Sequence, residues 1–348
     1  MSDITKIDKN FAVPTKVERP NMRFYNIEQE PFRIYGVFKE NGRFRRIPEA
    51  VARSVSEGVY SMSTNTAGGR VRFVTDSPYV AIHARITDIP LFNHMPLTGV
   101  AGLDLYEDTT YRGTFVPPYG MTDGYESVVD FVEQRERVIT IHFPVYSSLY
   151  ELYIGLEEGA SLKAAPEYKH KKPIVSYGSS ITQGGCASRP GVTYQQLLTR
   201  WFDCDHVNLG VSGNAKGEEA MYNWIKRLDM QAFIYDYDHN APSIEHLAAT
   251  HEKMFRAIRE AQPELPIIIM SRPKMNLRKD EIERMEIIRA TYQHAVENGD
   301  KHVYFLGGPS LMADVGGEGL VDNTHPTDSG FYSMAKALRP IIENILGK

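Results

Sequence analysis

Two serines follow a short apolar run at a point where one of them could act as a nucleophile. The segment Pro173–Gly185 reads PIVSYGSSITQGG, so a strand-like run ends at Gly178 and is followed by Ser179 and Ser180. A serine hydroxyl becomes a good nucleophile when a neutral imidazole takes its proton and a carboxylate holds that imidazole in one tautomer. A histidine and a carboxylate must therefore lie near these serines if the segment is catalytic.

The segment DNTHPTDSG supplies a matching acid and base. Asp322 and His325 lie three residues apart just before the last predicted helix, and a tight turn would direct both side chains the same way. The developing oxyanion also needs fixed donors, each of which stabilises the transition state by about 2.7–4 kcal/mol. The candidates are the backbone N–H groups of Ser180 and Gly213 and the side-chain amide of Asn240.

The elements that must position these residues alternate between strands and helices in the second half of the chain. Five β-prone runs are predicted as strands and are separated by helical patterns: PIVSYG, HVNLGVSG, AFIYDYD, PIIIMS and HVYFLGG. Such alternation predicts a parallel sheet covered on both faces, with ligands bound at the carboxyl ends of the strands. The candidate residues all fall in loops at that edge.

The first half of the chain has a different pattern, in which apolar residues tend to alternate from about residue 23 to residue 156. The stretch Val71–Ile86 is typical of a β-hairpin with an Asp-Ser-Pro turn, and one short helix is expected near residues 48–56. An antiparallel, jelly-roll-like β-sandwich is the predicted architecture. The predicted organisation is an N-terminal extension, the sandwich and the α/β domain, over residues 1–22, 23–165 and 166–348.

Composition limits the classes of function. The chain has 348 residues, 24% of them charged, and a formal net charge of −5, which disfavours nucleic acid or a membrane as the main partner. Cys186 and Cys204 have no metal-ligand spacing and are too few for a disulfide framework. The first residues carry no apolar stretch behind their charges, so we expect no signal peptide and a cytoplasmic location. The oligomeric state is not predicted.

The motifs resemble those of the SGNH hydrolases, also called GDSL-type esterases and acylhydrolases. The first block of that family, Gly-Asp-Ser followed by Leu or Ile, is similar to Gly178–Ile181, which reads GSSI. Aligned with the family blocks, the nucleophile, the glycine and asparagine of the oxyanion hole, and the Asp-x-x-His pair are Ser180, Gly213, Asn240, Asp322 and His325. The resemblance implies a three-layer α/β/α domain of flavodoxin-like type and ester hydrolysis without a metal or cofactor.

The sequence departs from the family pattern in two blocks. Ser179 stands where the family usually has an aspartate, which is not a member of the triad. The third block, usually Gly-x-Asn-Asp, reads DHNA at Asp238–Ala241. Asn240 remains the predicted donor, in a loop that could differ in shape.

A second resemblance covers the first half of the chain. The stretch His94–Tyr106, HMPLTGVAGLDLY, is similar to the Gly-x-Asp-Leu-Tyr signature of the β-sandwich domain that precedes a subset of these hydrolases. Members of the subset resemble carbohydrate acetylesterases or acyltransferases. The expected function is hydrolysis of short-chain acyl esters, with an O-acetylated saccharide as the leading substrate. An acyltransferase with the same triad and a carbohydrate-binding protein with a vestigial hydrolase domain are the alternatives.

Other polar residues have competing interpretations. Arg272, after the fourth strand, could contact substrate or form an ordinary ion pair. Asp236, Asp238 and His239 are possible metal ligands. A metal-dependent phosphodiesterase could be built on the run Asp238–Asn240, although further ligands at suitable spacing are lacking. We expect Cys186 to be structural.

Overall fold

The first half of the chain forms short strands and three short helices. The structure is a computed structural model that describes residues 16–347, so most of the predicted extension over residues 1–22 lies outside the described residues. The strands are β1 (Met22–Asn26), β2 (Arg33–Tyr35), β3 (Phe38–Glu40), β4 (Arg43–Arg45), β5 (Arg70–Thr75), β6 (Tyr79–Thr87), β7 (Leu103–Glu107), β8 (Thr110–Phe115), β9 (Gly124–Asp130), β10 (Arg137–His142), β11 (Ser148–Glu157) and β12 (Leu162–Ala164). The helices are α1 (Glu49–Val55), α2 (Glu57–Met62) and α3 (Leu97–Val100).

Ten of these strands form two antiparallel sheets packed on a shared core, and β3 pairs with β4 in a separate two-stranded sheet. One sheet has the order β1-β11-β6-β9, and the other has the order β12-β5-β10-β7-β8 with β2 paired to β5. Side chains from both inner faces, such as Ile82, Ile141 and Ile154, are fully buried in one cluster. The predicted β-sandwich is confirmed, because alternating apolar residues place one face of each sheet in the core.

The predicted hairpin over Val71–Ile86 is wrong. Its two strands, β5 and β6, lie in opposite sheets and do not pair with each other. The polar side chains of the connecting turn bind elsewhere: Asp76 accepts from the N–H of Ser161 at 2.7 Å, and Ser77 accepts from the N–H of Glu157 at 3.0 Å. Alternation has the same period whether two strands pair or face each other across a core, so the pattern could not separate these arrangements.

The second half of the chain alternates strands with helices. The strands are β13 (His170–Gly178), β14 (Cys204–Gly210), β15 (Ala232–Asp236), β16 (Ile267–Met270) and β17 (Val303–Leu306). The helices are α4 (Ser180–Gln183), α5 (Tyr194–Phe202), α6 (Glu219–Ile225), α7 (Ile244–Ala261), α8 (Lys279–Glu297), α9 (Gly308–Leu311) and α10 (Asp328–Leu346). The strands pair in parallel in the order β14-β13-β15-β16-β17, which confirms the predicted sheet.

Helices cover both faces of this sheet. Neighbouring residues of each strand point in opposite directions, and apolar residues on both faces pack against helices. Ile174 and Ile234 pack with α5 and α10, whereas Val175 and Phe233 pack with α6, α7 and α8. Helices α1 and α2, which come from the first half of the chain, join the second cluster through Ala52 and Val59. The predicted boundary at residue 165 therefore stays a prediction.

In the described part of the chain, no helix combines the length and apolarity needed to cross a membrane.

A buried carboxylate joins the two domains. Asp104 on β7 contacts Nδ1 of His142 at 2.8 Å and Nη1 of Arg189 at 2.7 Å, and it accepts from the N–H of Gly191 at 2.9 Å. Arg189 also donates to the hydroxyl of Tyr106 at 2.6 Å. Burial opposes ionisation, but His142 and Arg189 hold the pKa of Asp104 below its usual value. Because Arg189 and Gly191 follow the nucleophile turn, Asp104 ties the sandwich to that turn.

We expect Asp104→Asn to lower the free energy of unfolding by about 3 kcal/mol, because it leaves Arg189 beside a buried site without its counter-charge. Urea unfolding would measure this loss. The control is Glu167→Gln, which breaks the solvent-exposed 2.9 Å pair with Arg33 and should lower the free energy of unfolding far less, because exposed ion pairs contribute little to stability. Equal losses in the two variants would contradict the assigned role of Asp104.

Candidate active site

The nucleophile turn holds one serine inside the protein and presents the other. Ser179 is fully buried; its N–H donates to the carbonyl of Asp236 at 3.1 Å, and its Oγ accepts from the N–H of Ile181 at 3.2 Å. Ser180 is the first residue of α4 and is only half-buried. Gly178 is required before them, because a Cβ there would lie 2.2 Å from the carbonyl oxygen of Asp236. The turn therefore presents Ser180 rather than Ser179.

Ser180 is hydrogen-bonded to the predicted histidine. Its Oγ lies 2.9 Å from Nε2 of His325, and Nδ1 of His325 lies 2.8 Å from Oδ2 of Asp322. The turn that carries both residues is closed by a bridge between Leu320 and Pro326 and by the bond from the N–H of Val321 to the carbonyl of His325 at 2.9 Å. This chain of hydrogen bonds has the connectivity of a serine–histidine–aspartate triad.

Asp322 is organised by more than the imidazole. Its Oδ1 accepts from the N–H groups of Thr324 at 3.0 Å and His325 at 2.7 Å, while Oδ2 faces the ring of His325. Partial burial favours the neutral acid, but the hydrogen bonds from the N–H and ring of His325 keep the pKa of Asp322 below its usual value. The carboxylate is therefore ionised at neutral pH and can hold the imidazole with its proton on Nδ1.

Two of the predicted oxyanion donors, Gly213 and Asn240, follow the two strands that flank β13. Gly178 pairs with Gly210 on β14 and with Asp236 on β15, so the loops carrying Gly213 and Asn240 both begin beside the nucleophile turn. Gly213 has a φ of 71°, which glycine adopts without strain. In the part of the chain that the structure describes, the N–H groups of Ser180 and Gly213 have no acceptor among the backbone hydrogen bonds.

Side chains fix both donor loops. Gln183 on α4 accepts from the N–H of Ser212 at 3.0 Å, which holds the residue before Gly213. The Oδ1 atom of Asn240 accepts from the N–H of Ala215 at 3.3 Å. This bond uses the oxygen of the Asn240 amide and leaves its N–H₂ group as the donor. The role of these residues as an oxyanion hole stays a prediction.

The sandwich domain also lines the site, which the sequence analysis missed. A cavity of about 170 Å³ beside His325 is bordered by Phe92, His94, Met95 and Tyr146. The hydroxyl of Tyr146 donates to the carbonyl of Ser180 at 3.4 Å. The ring centroids of His94 and His325 are 5.5 Å apart, and Nε2 of His94 lies 3.6 Å from Oδ2 of Asp322. His94 begins the stretch that carries the sandwich signature, but no motif indicates that it faces the triad.

Arg272 lies in the ion pair that was the alternative to a substrate contact, and a contact with substrate stays a prediction. Its side chain is buried; Nε donates to Asp238 at 2.9 Å and Nη1 donates to Glu281 at 3.0 Å. The guanidinium is committed to two carboxylates, which is the ordinary ion pair considered as the alternative. The same contact removes Asp238 from the proposed phosphodiesterase site, because its carboxylate serves Arg272. His239 is the next residue of that hypothetical phosphodiesterase site, and burial lowers the pKa of its imidazole to about 4.

We expect Ser180→Ala to abolish ester hydrolysis and Ser179→Ala to retain most of it. Only the first change removes the hydroxyl that faces His325. The second removes a helix cap and should lower the free energy of unfolding by about 1 kcal/mol. Steady-state hydrolysis of p-nitrophenyl acetate and urea unfolding on the same samples would measure both effects. Loss of activity in Ser179→Ala with retention in Ser180→Ala would reverse the assignment.

We expect Asn240→Ala and Asn240→Asp to lower kcat by about 10²–10³ with little change in KM, because the amide donor acts as charge develops. Aspartate keeps an oxygen for the N–H of Ala215 but cannot donate, so it separates donation from loop support. If Asn240→Asp kept its kcat while Asn240→Ala only lowered the melting temperature, Asn240 would be a structural residue of the loop.

Comparison with known proteins matches each of the two domains to a protein family. Residues 171–343 match the GDSL-like Lipase/Acylhydrolase family, and residues 22–162 match the family described as the N-terminus of Esterase_SGNH_hydro-type. No curated protein matches the chain. A solved structure from Bacteroides ovatus, described as a GDSL-like lipase, is 29% identical with a TM-score of 0.83; the match covers 94% of this chain and 98% of that one.

Two more distant structures share the fold. The salicylyl-acyltransferase SsfX3 from a tetracycline biosynthetic pathway is 20% identical with a TM-score of 0.77, over 94% of this chain and 98% of its own. The acetyl xylan esterase Est2A from Butyrivibrio proteoclasticus is 15% identical with a TM-score of 0.59, over 94% and 99%. The two family matches span nearly all of both domains. The chain therefore belongs to the GDSL-like lipase/acylhydrolase family of carboxylic ester hydrolases, in the group with the SGNH-type N-terminal domain.

Proposed function

We propose that this protein is a serine esterase that removes short acyl groups, with O-acetyl esters of saccharides as its substrates, through an acyl-enzyme on Ser180. The observation that carries the proposal is the continuous hydrogen-bond chain from Ser180 Oγ through His325 to Asp322, with distances of 2.9 and 2.8 Å. An intact chain of this kind argues against a carbohydrate-binding protein with a vestigial hydrolase domain.

The geometry supports a two-step reaction. Nε2 of His325 takes the proton of Ser180 as Oγ attacks the ester carbon, and the oxyanion accepts from the N–H groups of Ser180 and Gly213 and from Asn240. His325 then gives its proton to the leaving alcohol as the carbon–oxygen bond breaks. A water molecule attacks the acyl-enzyme in the second step, with His325 again as base, and releases the carboxylic acid.

The cavity beside the triad suits a small acyl group. Its volume of about 170 Å³ is small, and Phe92, Met95 and Tyr146 supply apolar walls beside His325. Apolar walls favour an acyl chain because its transfer from water is favourable by about 0.8 kcal/mol per buried CH₂. The small volume supports acetyl and other short chains over long ones.

A second cavity supports a polar alcohol. It has a volume of about 670 Å³ and shares Phe92, Tyr146 and Ser212 with the smaller cavity. Its other borders include the charged side chains of Arg43, Glu57 and Asp88 and the ring of Tyr60, which adds to the ring of Phe92. Hydroxyl groups of a sugar could exchange hydrogen bonds with the charged groups, and the faces of the sugar could pack on the rings. The sandwich domain forms most of the larger cavity and half of the smaller one, which gives that domain a role in substrate selection.

The first test is a substrate series with Ser180→Ala as the blank. We expect kcat/KM to be highest for acetyl esters and to fall as the acyl chain of p-nitrophenyl esters lengthens. Acetylated saccharides should release acetate in excess chelator, because the triad needs no metal. A preference for long chains would contradict the proposal. Acyl transfer to an added alcohol that outpaced release of acetate would establish the acyltransferase with the same triad instead.

Glu57→Ala tests the alcohol side of the same site. The side chain borders only the larger of the two cavities, so the change should raise KM for acetylated saccharides and leave p-nitrophenyl acetate unaffected. The control is Glu283→Ala, an equally exposed change on α8, which should alter neither substrate. An unchanged KM for every saccharide would contradict the assignment of this cavity.

A further inference from the structure

Three metal-binding side chains converge at the small cavity, and the proposed reaction uses only one of them. His94, Cys186 and His325 each offer one ligand atom, and these atoms lie within 4.8 Å of one another. All three residues border the same cavity of about 170 Å³. In residues 16–347 no other three His, Cys, Asp or Glu side chains meet this criterion.

We propose that His94, Cys186 and His325 form an inhibitory site for a thiophilic divalent cation, with Zn²⁺ as the fitting ion. Two imidazoles and one thiolate are ligands that Zn²⁺ prefers, and a fourth position would be open to water from the cavity. Zinc–nitrogen bonds of about 2.0 Å and zinc–sulfur bonds of about 2.3 Å place such ligand atoms roughly 3–4 Å apart. Side-chain rotations that move the ligand atoms by about 1 Å would therefore bring them to the separations that a bound Zn²⁺ requires.

The surroundings of each ligand are compatible with binding. Nδ1 of His325 is held by Asp322 at 2.8 Å, so Nε2 is the atom left for a metal. A carboxylate that accepts from the other ring N–H of a ligating imidazole is common at zinc sites, where it orients the ring. His94 is more than one third exposed and its closest charged partner is Asp322 at 3.6 Å. Cys186 forms no disulfide. None of the three must give up a strong structural contact other than the Ser180–His325 bond.

Occupation would stop catalysis by a defined exchange of bonds. Zn²⁺ forms one bond to the sulfur of Cys186 and one each to a nitrogen of His94 and His325, while the thiol releases one proton to solvent. Burial, with a smaller contribution from Asp322, raises the pKa of Cys186 to about 12, so the free thiol is protonated at neutral pH and the ion must displace that proton. The hydrogen bond from Ser180 to His325 is lost, and with it the base.

The binding test uses Co²⁺ as a spectroscopic substitute for Zn²⁺ and does not depend on activity. A cobalt–thiolate charge-transfer band should appear in the near ultraviolet with the unaltered protein and disappear in Cys186→Ser. The control Cys204→Ser changes the other buried cysteine and should keep the band. Absence of the cobalt–thiolate band from the unaltered protein, or persistence of that band in Cys186→Ser, would overturn the proposal.

His94→Gln provides a second variant on a more exposed residue, in case Cys186→Ser does not fold. It should weaken Co²⁺ binding by about 10-fold or more, since the loss of even an outer-shell partner has that effect. Ser180→Ala should bind at least as tightly as the unaltered protein, because Nε2 of His325 no longer has a competing partner. Unchanged binding in His94→Gln or weaker binding in Ser180→Ala would contradict the assigned ligands.

The kinetic test measures Zn²⁺ inhibition of each active variant relative to its own rate in chelator. Zn²⁺ should inhibit the unaltered protein and Cys204→Ser, and chelator should restore the full rate. Inhibition of Cys186→Ser and His94→Gln should require about 10-fold more Zn²⁺ or higher concentrations. Equal sensitivity of all variants would place the inhibitory ion elsewhere. If no ester is hydrolysed at all, the proposed function fails, whereas the Co²⁺ spectrum still decides the metal site.

Discussion

Buried charge at the boundary between the two domains is the constraint on which the site depends. Arg46 is fully buried and donates to the carbonyls of Asn208 at 3.0 Å and Gly210 at 2.6 Å on β14. Arg70 pairs with Asp205 from the other domain. Each buried guanidinium must find acceptors or destabilise the fold by several kcal/mol. Some acceptors of each guanidinium lie on the opposite domain, so separating the domains would leave those polar groups unpaired.

Burial lowers the pKa of Arg46 to about 9. Asp104 makes the corresponding contact from the sandwich to the nucleophile turn, through Arg189 and the N–H of Gly191. These contacts fix both sides of the active site: β14 carries the loop of Gly213, and the turn carries Ser180. The boundary between domains is therefore part of the catalytic scaffold.

This constraint explains why the site is composite. The predicted triad and oxyanion donors belong to the α/β domain, whereas the sandwich supplies most of the walls of the larger cavity and half of those of the smaller one. A loop such as the one with Phe92 and His94 can select a substrate only if its distance from Ser180 is fixed. The contact of Tyr146 with the carbonyl of Ser180 is one of the links that fix it. The same closeness brings His94 and Cys186 to His325.

The sequence by itself determined the fold class of both domains and predicted Ser180, His325 and Asp322 as the triad, because strand and helix periods and short-range spacing are local properties. Asp322 and His325 share one turn, and Ser180 follows β13, whose neighbouring strands run in the same direction. Only the tertiary structure decided that β5 and β6 lie in opposite sheets, that Arg272 is consumed by Asp238 and Glu281, and that His94 faces the triad. These facts depend on contacts between residues far apart in the chain, and neither hydrophobic period nor motif spacing encodes which distant side chains meet.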